Sequence, residues 1–254
     1  MFVYARCLAG ILFPLMILGC SRSSTAPEPS PWKLILDEPF AGLDESRWER
    51  ATHTFQYNAA RFRPENVAVQ DGKLILTLKP EFYIDRNYTG GELRSRAAYQ
   101  FGKFTVRMKA ARGSGVVSSF FLYRYNPWQE IDIEFLGKDT RKIQLNIFYN
   151  PGPEGMPNNS GDASHQQPKV ISLPFDAAAD FHEYSIEWEE GAVRWFADGT
   201  LIHQSSNPAS VPDLPMQVMM NLWYSESVSW AGPRDDGSLP AQAVYDHVQI
   251  FRRR

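Results

Sequence analysis

Glu130-Ile131-Asp132-Ile133-Glu134-Phe135 is where the chain concentrates its chemistry. Charged and apolar residues alternate, the period-2 pattern of a strand with one buried face. Ile131, Ile133 and Phe135 are expected to enter a core, leaving Glu130, Asp132 and Glu134 together on the opposite face. Three carboxylates on one face repel one another, so at least one should keep its proton to unusually high pH. A carboxylate beside a carboxylic acid is a nucleophile or base beside a proton donor. At about 3.3 Å of rise per residue the two glutamate Cα atoms lie roughly 13 Å apart, and a curved sheet draws their side chains closer. A solvated strand face is the plain alternative for any E-x-D-x-E. Trp128 just before it, and Gln144, Asn146 and Phe148 on the following strand, favour a groove that binds sugar, because aromatic and amide groups surround the acids.

The elements that must hold this strand read almost entirely as further strands. Leu34-Ile35-Leu36 opens the domain, and Asp71-Gly72 turns the chain into Lys73–Leu78, which Pro80 ends. Phe101–Lys109 alternates Phe104, Val106 and Met108 with polar residues, whereas Val116–Tyr123 is almost continuously apolar or small and so buried on both sides. Lys142–Tyr149, Tyr184–Trp188, Val193–Phe196, Leu201–Gln204, Met216–Trp223 and Ala243–Phe251 complete the series. Asp176-Ala177-Ala178-Ala179 offers a single helical turn. The loop Asn150–Pro168 has no periodicity and is expected to line one end of the groove. Many short strands between Gly, Pro and Asp turns, without alternating helices, predict an all-β fold, an antiparallel β-sandwich.

A chain of 254 residues, 43% hydrophobic and 22% charged, fits one globular domain with a leader. Net charge is −3, or −4 once Arg6 leaves with the leader, and no basic run is interleaved with aromatics, so nucleic acid is not an expected partner. Residues 1–19 carry Arg6 and the apolar run Leu8–Leu18, the form of a secretory signal. Ile17-Leu18-Gly19-Cys20 resembles a bacterial lipobox, which implies lipidation at Cys20, a tether over 20–31 and a catalytic domain over 32–254. An ordinary signal peptide cleaved nearby, with Cys20 incidental, is the alternative. Export to the bacterial cell envelope, membrane attachment through the lipid and a monomeric state are expected. Only Cys7 and Cys20 are present, so the domain must be held by packing rather than by a disulfide.

Trp128-Gln129-Glu130-Ile131-Asp132-Ile133-Glu134-Phe135-Leu136-Gly137-Lys138-Asp139 resembles the active-site strand of family 16 glycoside hydrolases, and within them the lichenases (endo-β-1,3-1,4-glucanases). Gly91–Ser95, Val117–Phe121, Lys169–Leu173 and Met219–Trp223 are similar to lichenase segments in the same order, so the resemblance spans roughly residues 37 to 251. It implies a jelly roll with one concave face. It also implies a retaining mechanism with Glu130 as nucleophile, Glu134 as acid/base and Asp132 hydrogen-bonded to Glu130. Substrate contacts carried over by position are Glu92, Arg94, Phe121, Tyr123, Trp128, Asn146, Phe148, Asn221, Trp223 and Trp230. For Glu92 and Arg94 a structural ion pair is the alternative; Trp188 and Trp195 are assigned to the core or the convex side.

The resemblance further implies a structural calcium ion held by the carbonyls of Pro39 and Gly72 and the side chain of Asp246, with Asp246 as a plain surface acid the other reading. None of the five histidines has ligand spacing, and no cofactor is expected for catalysis. The sequence departs from lichenases at several points. Phe148 stands where they have tyrosine, Tyr123–Trp128 is shorter, the 150–168 loop is longer, and Ala60 falls near one cysteine of their disulfide. The expected activity is hydrolysis of mixed-linkage β-glucan. A transglycosylase, a depolymerase of succinoglycan- or xyloglucan-type polysaccharides, and a non-catalytic glucan-binding protein are the alternatives.

Overall fold

The computed structural model describes residues 1, 30–150, 152–154, 168–206 and 210–254. Residues 2–29, with Cys20 and nearly all of the expected signal and tether, lie outside them, as does most of the 150–168 loop. The chain divides into Met1–Ser30 and Pro31–Arg254, and every strand belongs to the second unit.

In chain order the strands are β1 (Trp32–Glu38), β2 (Trp48–Arg50), β3 (Ala60–Phe62), β4 (Val67–Gln70), β5 (Lys73–Leu78), β6 (Tyr88–Tyr99), β7 (Gly102–Lys109) and β8 (Val116–Arg124). They continue as β9 (Gln129–Leu136), β10 (Lys142–Tyr149), β11 (Lys169–Ser172), β12 (His182–Glu189), β13 (Ala192–Ala197), β14 (Thr200–Ser205), β15 (Met216–Tyr224) and β16 (Ala241–Arg253). One eight-stranded sheet runs β14-β13-β12-β7-β16-β5-β4, with β1 also on β16. The other runs β11-β10-β9-β8-β15-β6-β2, with β3 joining β6 in parallel. All other pairings within the two sheets are antiparallel, and the sandwich is a jelly roll with β9 inside the second sheet.

Alternation explains the core. Leu74, Leu76, Leu78, Phe104, Val106 and Met108 enter it from the first sheet, and Phe120, Leu122, Ile131, Ile133 and Phe135 from the second. Each buried apolar side chain of this size stabilises the fold by about 1.5–3 kcal/mol. Trp188 and Trp195 are both buried in this core, and their indole N–H groups are satisfied by main-chain carbonyls, Trp188 by Pro212 at 2.7 Å and Trp195 by Asp132 at 3.0 Å. The second of these ties the first sheet to the acid-bearing strand.

One local expectation is corrected. Asp176–Ala179 forms a turn, not a helix, because the Asp176 carboxylate is engaged by Thr140, Arg112 and the Ala178 N–H. Among the described residues the α-helix is α1 (Val228–Ala231), which carries Trp230. Strand β6 is not among the strands read from the sequence, and Gly90-Gly91 let it lie flush against its neighbours. A Cβ on Gly90 would sit 2.4 Å from the Leu222 carbonyl oxygen, and one on Gly91 2.6 Å from that of Asn66. This close approach fixes where Glu92 emerges.

Candidate active site

Strand register assembles the site. Across β8, β9 and β10, Tyr123, Glu130 and Phe148 form one row, Phe121, Asp132 and Asn146 the next, and Ser119, Glu134 and Gln144 the third. On β15, Met219 and Asn221 extend the second and third rows, and Arg94 and Glu92 of β6 extend them again. Residues directly opposite one another share a face, so the acids and most of the expected contacts stand on one side of the sheet. That side faces away from the core, yet Glu92, Asp132, Asn146 and Asn221 are only 1–5% exposed. The floor is therefore recessed.

The three acids have unequal partners. Trp128 donates its indole N–H to Glu130 Oε2 at 2.8 Å, and its ring stacks on Phe148 at 4.5 Å and 23°. Asp132 shares a hydrogen bond with Glu130, and burial followed by repulsion from Glu130 and Glu134 pushes its carboxyl well above the carboxylate range. Burial raises Glu130 as well, opposed by the bond from Trp128. Glu130 is itself pushed up to about 8, but the bond between the two favours its ionised form and the protonated form of Asp132, so in the form that reacts Glu130 is the carboxylate with two donors. Among the described residues Glu134 accepts from Gln144 Nε2 alone, at 3.3 Å, and burial pushes it up to about 7. Trp230 Nε1 donates to Gln144 Oε1 at 2.8 Å. An indole N–H only donates, so it fixes the carbonyl end of that amide and aims the NH2 at Glu134.

Glu92 and Arg94 are not an ion pair with each other. Arg94 binds Glu49 at 3.0 Å, whereas Glu92 is raised to about 7 by burial and, among the described residues, accepts only from Asn221 Nδ2, at 3.4 Å. Glu92 Oε1 and Asn221 Oδ1 are buried without a hydrogen-bond partner. The Nδ1 of His53, 3.9 Å from Glu92, belongs to a ring that burial keeps towards its neutral form. Paired acceptors of this kind suit hydroxyl donors.

Aromatic rings wall the floor. Trp223 sits between Phe55, edge-on at 4.9 Å, and Trp230, stacked at 5.7 Å, so Trp230 is at once a ring of the wall and the anchor of Gln144. Phe121 meets Tyr123 edge-on at 6.3 Å, and the Tyr123 hydroxyl donates to Glu154, one of the described residues of the 150–168 loop. All the expected catalytic and contact residues thus converge. Gln144, Phe55 and Glu154 join them; the first was legible as the residue two before Asn146, but nothing in the sequence marked the other two.

The calcium expectation meets competing charge at Asp246. Its Oδ2 accepts from Arg107 at 2.5 Å and its Oδ1 lies 3.7 Å from Lys73 Nζ. With two cations already at its one carboxylate, the set Pro39, Gly72 and Asp246 does not fit a divalent ion as placed, and no cluster of metal-ligating side chains occurs among the described residues.

Acids of unequal proton affinity, recessed in the face of a jelly roll and ringed by aromatic and amide groups, are the equipment for cutting O-glycosidic bonds, and the protein is a glycoside hydrolase. Residues 55–239 match the family model "Glycosyl hydrolases family 16", and the chain belongs to that family. A beta-glucanase of Brevibacillus brevis is 36% identical over 250 residues, covering 94% of this chain and 90% of its own. One from Paenibacillus macerans is 39% identical, covering 84% and 86%. Among solved structures, a β-1,3-1,4-glucanase (lichenase) from a mouse hindgut metagenome aligns with TM-score 0.75 at 32% identity, over 85% of this chain and 97% of its own. The Bacillus licheniformis β-glucanase aligns with TM-score 0.75 at 34% identity, over 86% and 98%.

Proposed function

We propose that the protein is an endo-acting, retaining β-glucanase that hydrolyses mixed-linkage β-1,3-1,4-glucan. The observation that carries this reading is the unequal hydrogen bonding of Glu130 and Glu134 on one face of β9. Glu130 attacks the anomeric carbon while Glu134 gives its proton to the departing glycosidic oxygen; the C–O bond breaks and a glycosyl ester forms on Glu130. Glu134, now a carboxylate, takes a proton from water, whose oxygen displaces Glu130 and restores the starting configuration. Asp132, by donating to Glu130, keeps the nucleophile ionised and stabilises it as it leaves. Glu92 and Asn221 accept sugar hydroxyls, and the rings of Trp128, Phe121 and Trp223 cover pyranose faces.

Mixed-linkage glucan as substrate draws on the beta-glucanase relatives and the lichenase structure. Reducing-end release from barley β-glucan, laminarin, xyloglucan and succinoglycan tests it, with barley glucan expected to be cut fastest and succinoglycan or xyloglucan leading if the depolymerase reading is right. Glu134→Ala with azide should yield a β-glycosyl azide, and an α product would overturn Glu134 as the acid/base. Lipid anchoring at Cys20 in the cell envelope belongs to the same reading, supported by Arg6, the apolar Leu8–Leu18 run and the lipobox-like Ile17–Cys20. Palmitate labelling that persists in Cys20→Ser would sink it.

A further inference from the structure

Glu154 is exposed, yet hydrogen bonds tie its stretch of chain to the site. The Gly152 carbonyl accepts from the Trp128 N–H at 2.8 Å, the Asn150 N–H donates to the Trp128 carbonyl at 2.9 Å, and the Glu154 N–H donates to the Tyr125 carbonyl at 3.1 Å. Asn150 Oδ1 closes the turn on the Gly152 N–H at 3.0 Å. The loop start is thus bound to the segment that carries Trp128, the residue that holds Glu130. From there Glu154 Oε2 takes the hydroxyl hydrogen of Tyr123, which stands directly across from Glu130.

A phenol has one hydrogen. Once it is committed to Glu154, the Tyr123 oxygen offers the groove only lone pairs. Glu154 and ionised Glu130 are acceptors too, and Phe148, on the other side of Glu130, brings no polar group. This wall beside the bond to be cut therefore accepts hydrogen bonds and carries negative charge. A neutral sugar meets it by donating hydroxyl hydrogens; a sugar bearing a carboxylate or other anion meets like charge, at a cost of several-fold or more in affinity.

We propose that Glu154 is a specificity-determining residue that turns Tyr123 into a hydrogen-bond acceptor and selects neutral, unsubstituted sugar units over anionic ones beside the cleavage point. The same carboxylate supports a second effect: its charge is among the causes that raise Glu130, Asp132 and Glu92. The inference rests on the reading of the protein as a β-glucanase with Glu130 as nucleophile.

The experiment compares wild type, Glu154→Gln, Glu154→Asp and Tyr123→Phe on barley β-glucan and on the same glucan partly oxidised at C6 to carboxylates. Wild type is expected to prefer the neutral polymer, and Glu154→Gln to narrow that preference roughly tenfold, mainly through KM. The acid limb of kcat/KM should move to lower pH in Glu154→Gln, because removing the charge eases ionisation of Glu130, while Glu154→Asp recovers the wild-type limb. Tyr123→Phe should weaken binding of both polymers but keep the wild-type acid limb, since Glu154 is still charged. An unchanged preference together with an unchanged acid limb in Glu154→Gln overturns the proposal. Wild type inactive on both polymers would instead indict the β-glucanase reading itself.

Discussion

The indole of Trp195, on β13 of one sheet, donates to the main-chain carbonyl of Asp132, on β9 of the other, across 3.0 Å of hydrophobic core. The acid that sets the proton balance of the site is therefore anchored from behind by a residue that faces no substrate. Trp195→Phe keeps most of the ring's volume but leaves that carbonyl without its indole donor, so stability should fall by about 1–3 kcal/mol. If the bond also fixes the height of Asp132 above the floor, kcat should fall roughly tenfold with KM little changed. Chemical denaturation and steady-state kinetics on one glucan measure both, and a stability loss at wild-type kcat would restrict Trp195 to a packing role.

Gln144 acts on Glu134 through an orientation that Trp230 enforces. Trp230→Phe removes the donor that holds the amide oxygen, so Gln144 is free to turn that oxygen towards the acid. The bond from Gln144 lowers Glu134 against the larger raising effect of burial. Losing it therefore raises Glu134 further, and a proton donor with a higher pKa stays competent to higher pH. The basic limb of kcat should move up in Trp230→Phe and in Gln144→Leu alike. A limb that stays in place in both variants would show that the amide does not govern the acid.

How far the sequence discloses this arrangement depends on periodicity. The alternation of β5, β7 and β9 and the unbroken apolar run of β8 announce strands, and E-x-D-x-E places three acids on one face before any coordinates exist. Strand β6 was harder to read, because Gly90-Gly91 and Arg94-Ser95-Arg96 break the pattern and the need for glycine arises from contact with β15. The long-range ties are silent in the sequence for the same reason. Trp195 to Asp132 spans 63 positions and Trp230 to Gln144 spans 86, and neither tryptophan differs locally from a core or wall ring. At Asp246 the sequence leaves a cation ligand and a plain surface acid both open, and only the fold shows Arg107 and Lys73 beside it.

Glu92 links the site to stability. Its folded-state pKa is about 7 against an ordinary 4.5, so the native chain binds this proton more tightly than the unfolded one. Its contribution is fullest below about pH 4.5 and is lost as pH rises towards 7, a change of roughly 3 kcal/mol at most. Glu134, raised for the same reason, acts in the same window. Asp176, drawn down to about 2 by Thr140 and Arg112, acts oppositely and only in acid. Glu92→Gln should flatten the decline in Tm between about pH 5 and 8 and weaken glucan binding. A variant whose Tm falls with pH as steeply as wild type would place the lost stability elsewhere.

The cations around Asp246 give the last test, because a bound calcium ion and a pair of basic side chains respond oppositely to chelation. If Arg107 and Lys73 neutralise Asp246, adding EDTA should leave Tm unchanged and adding calcium should not raise it. Their side chains are partly exposed, so Asp246→Asn should cost no more than about 1 kcal/mol. Arg107→Ser removes the nearer cation and leaves the carboxylate facing Lys73 alone. Calcium should raise Tm only in that variant, since only there is the acceptor set free of its main competitor. Thermal melts of wild type and both variants, with EDTA and with calcium, distinguish the two. A wild-type Tm that drops on chelation and recovers with calcium would restore the metal to this face and displace the ion-pair account.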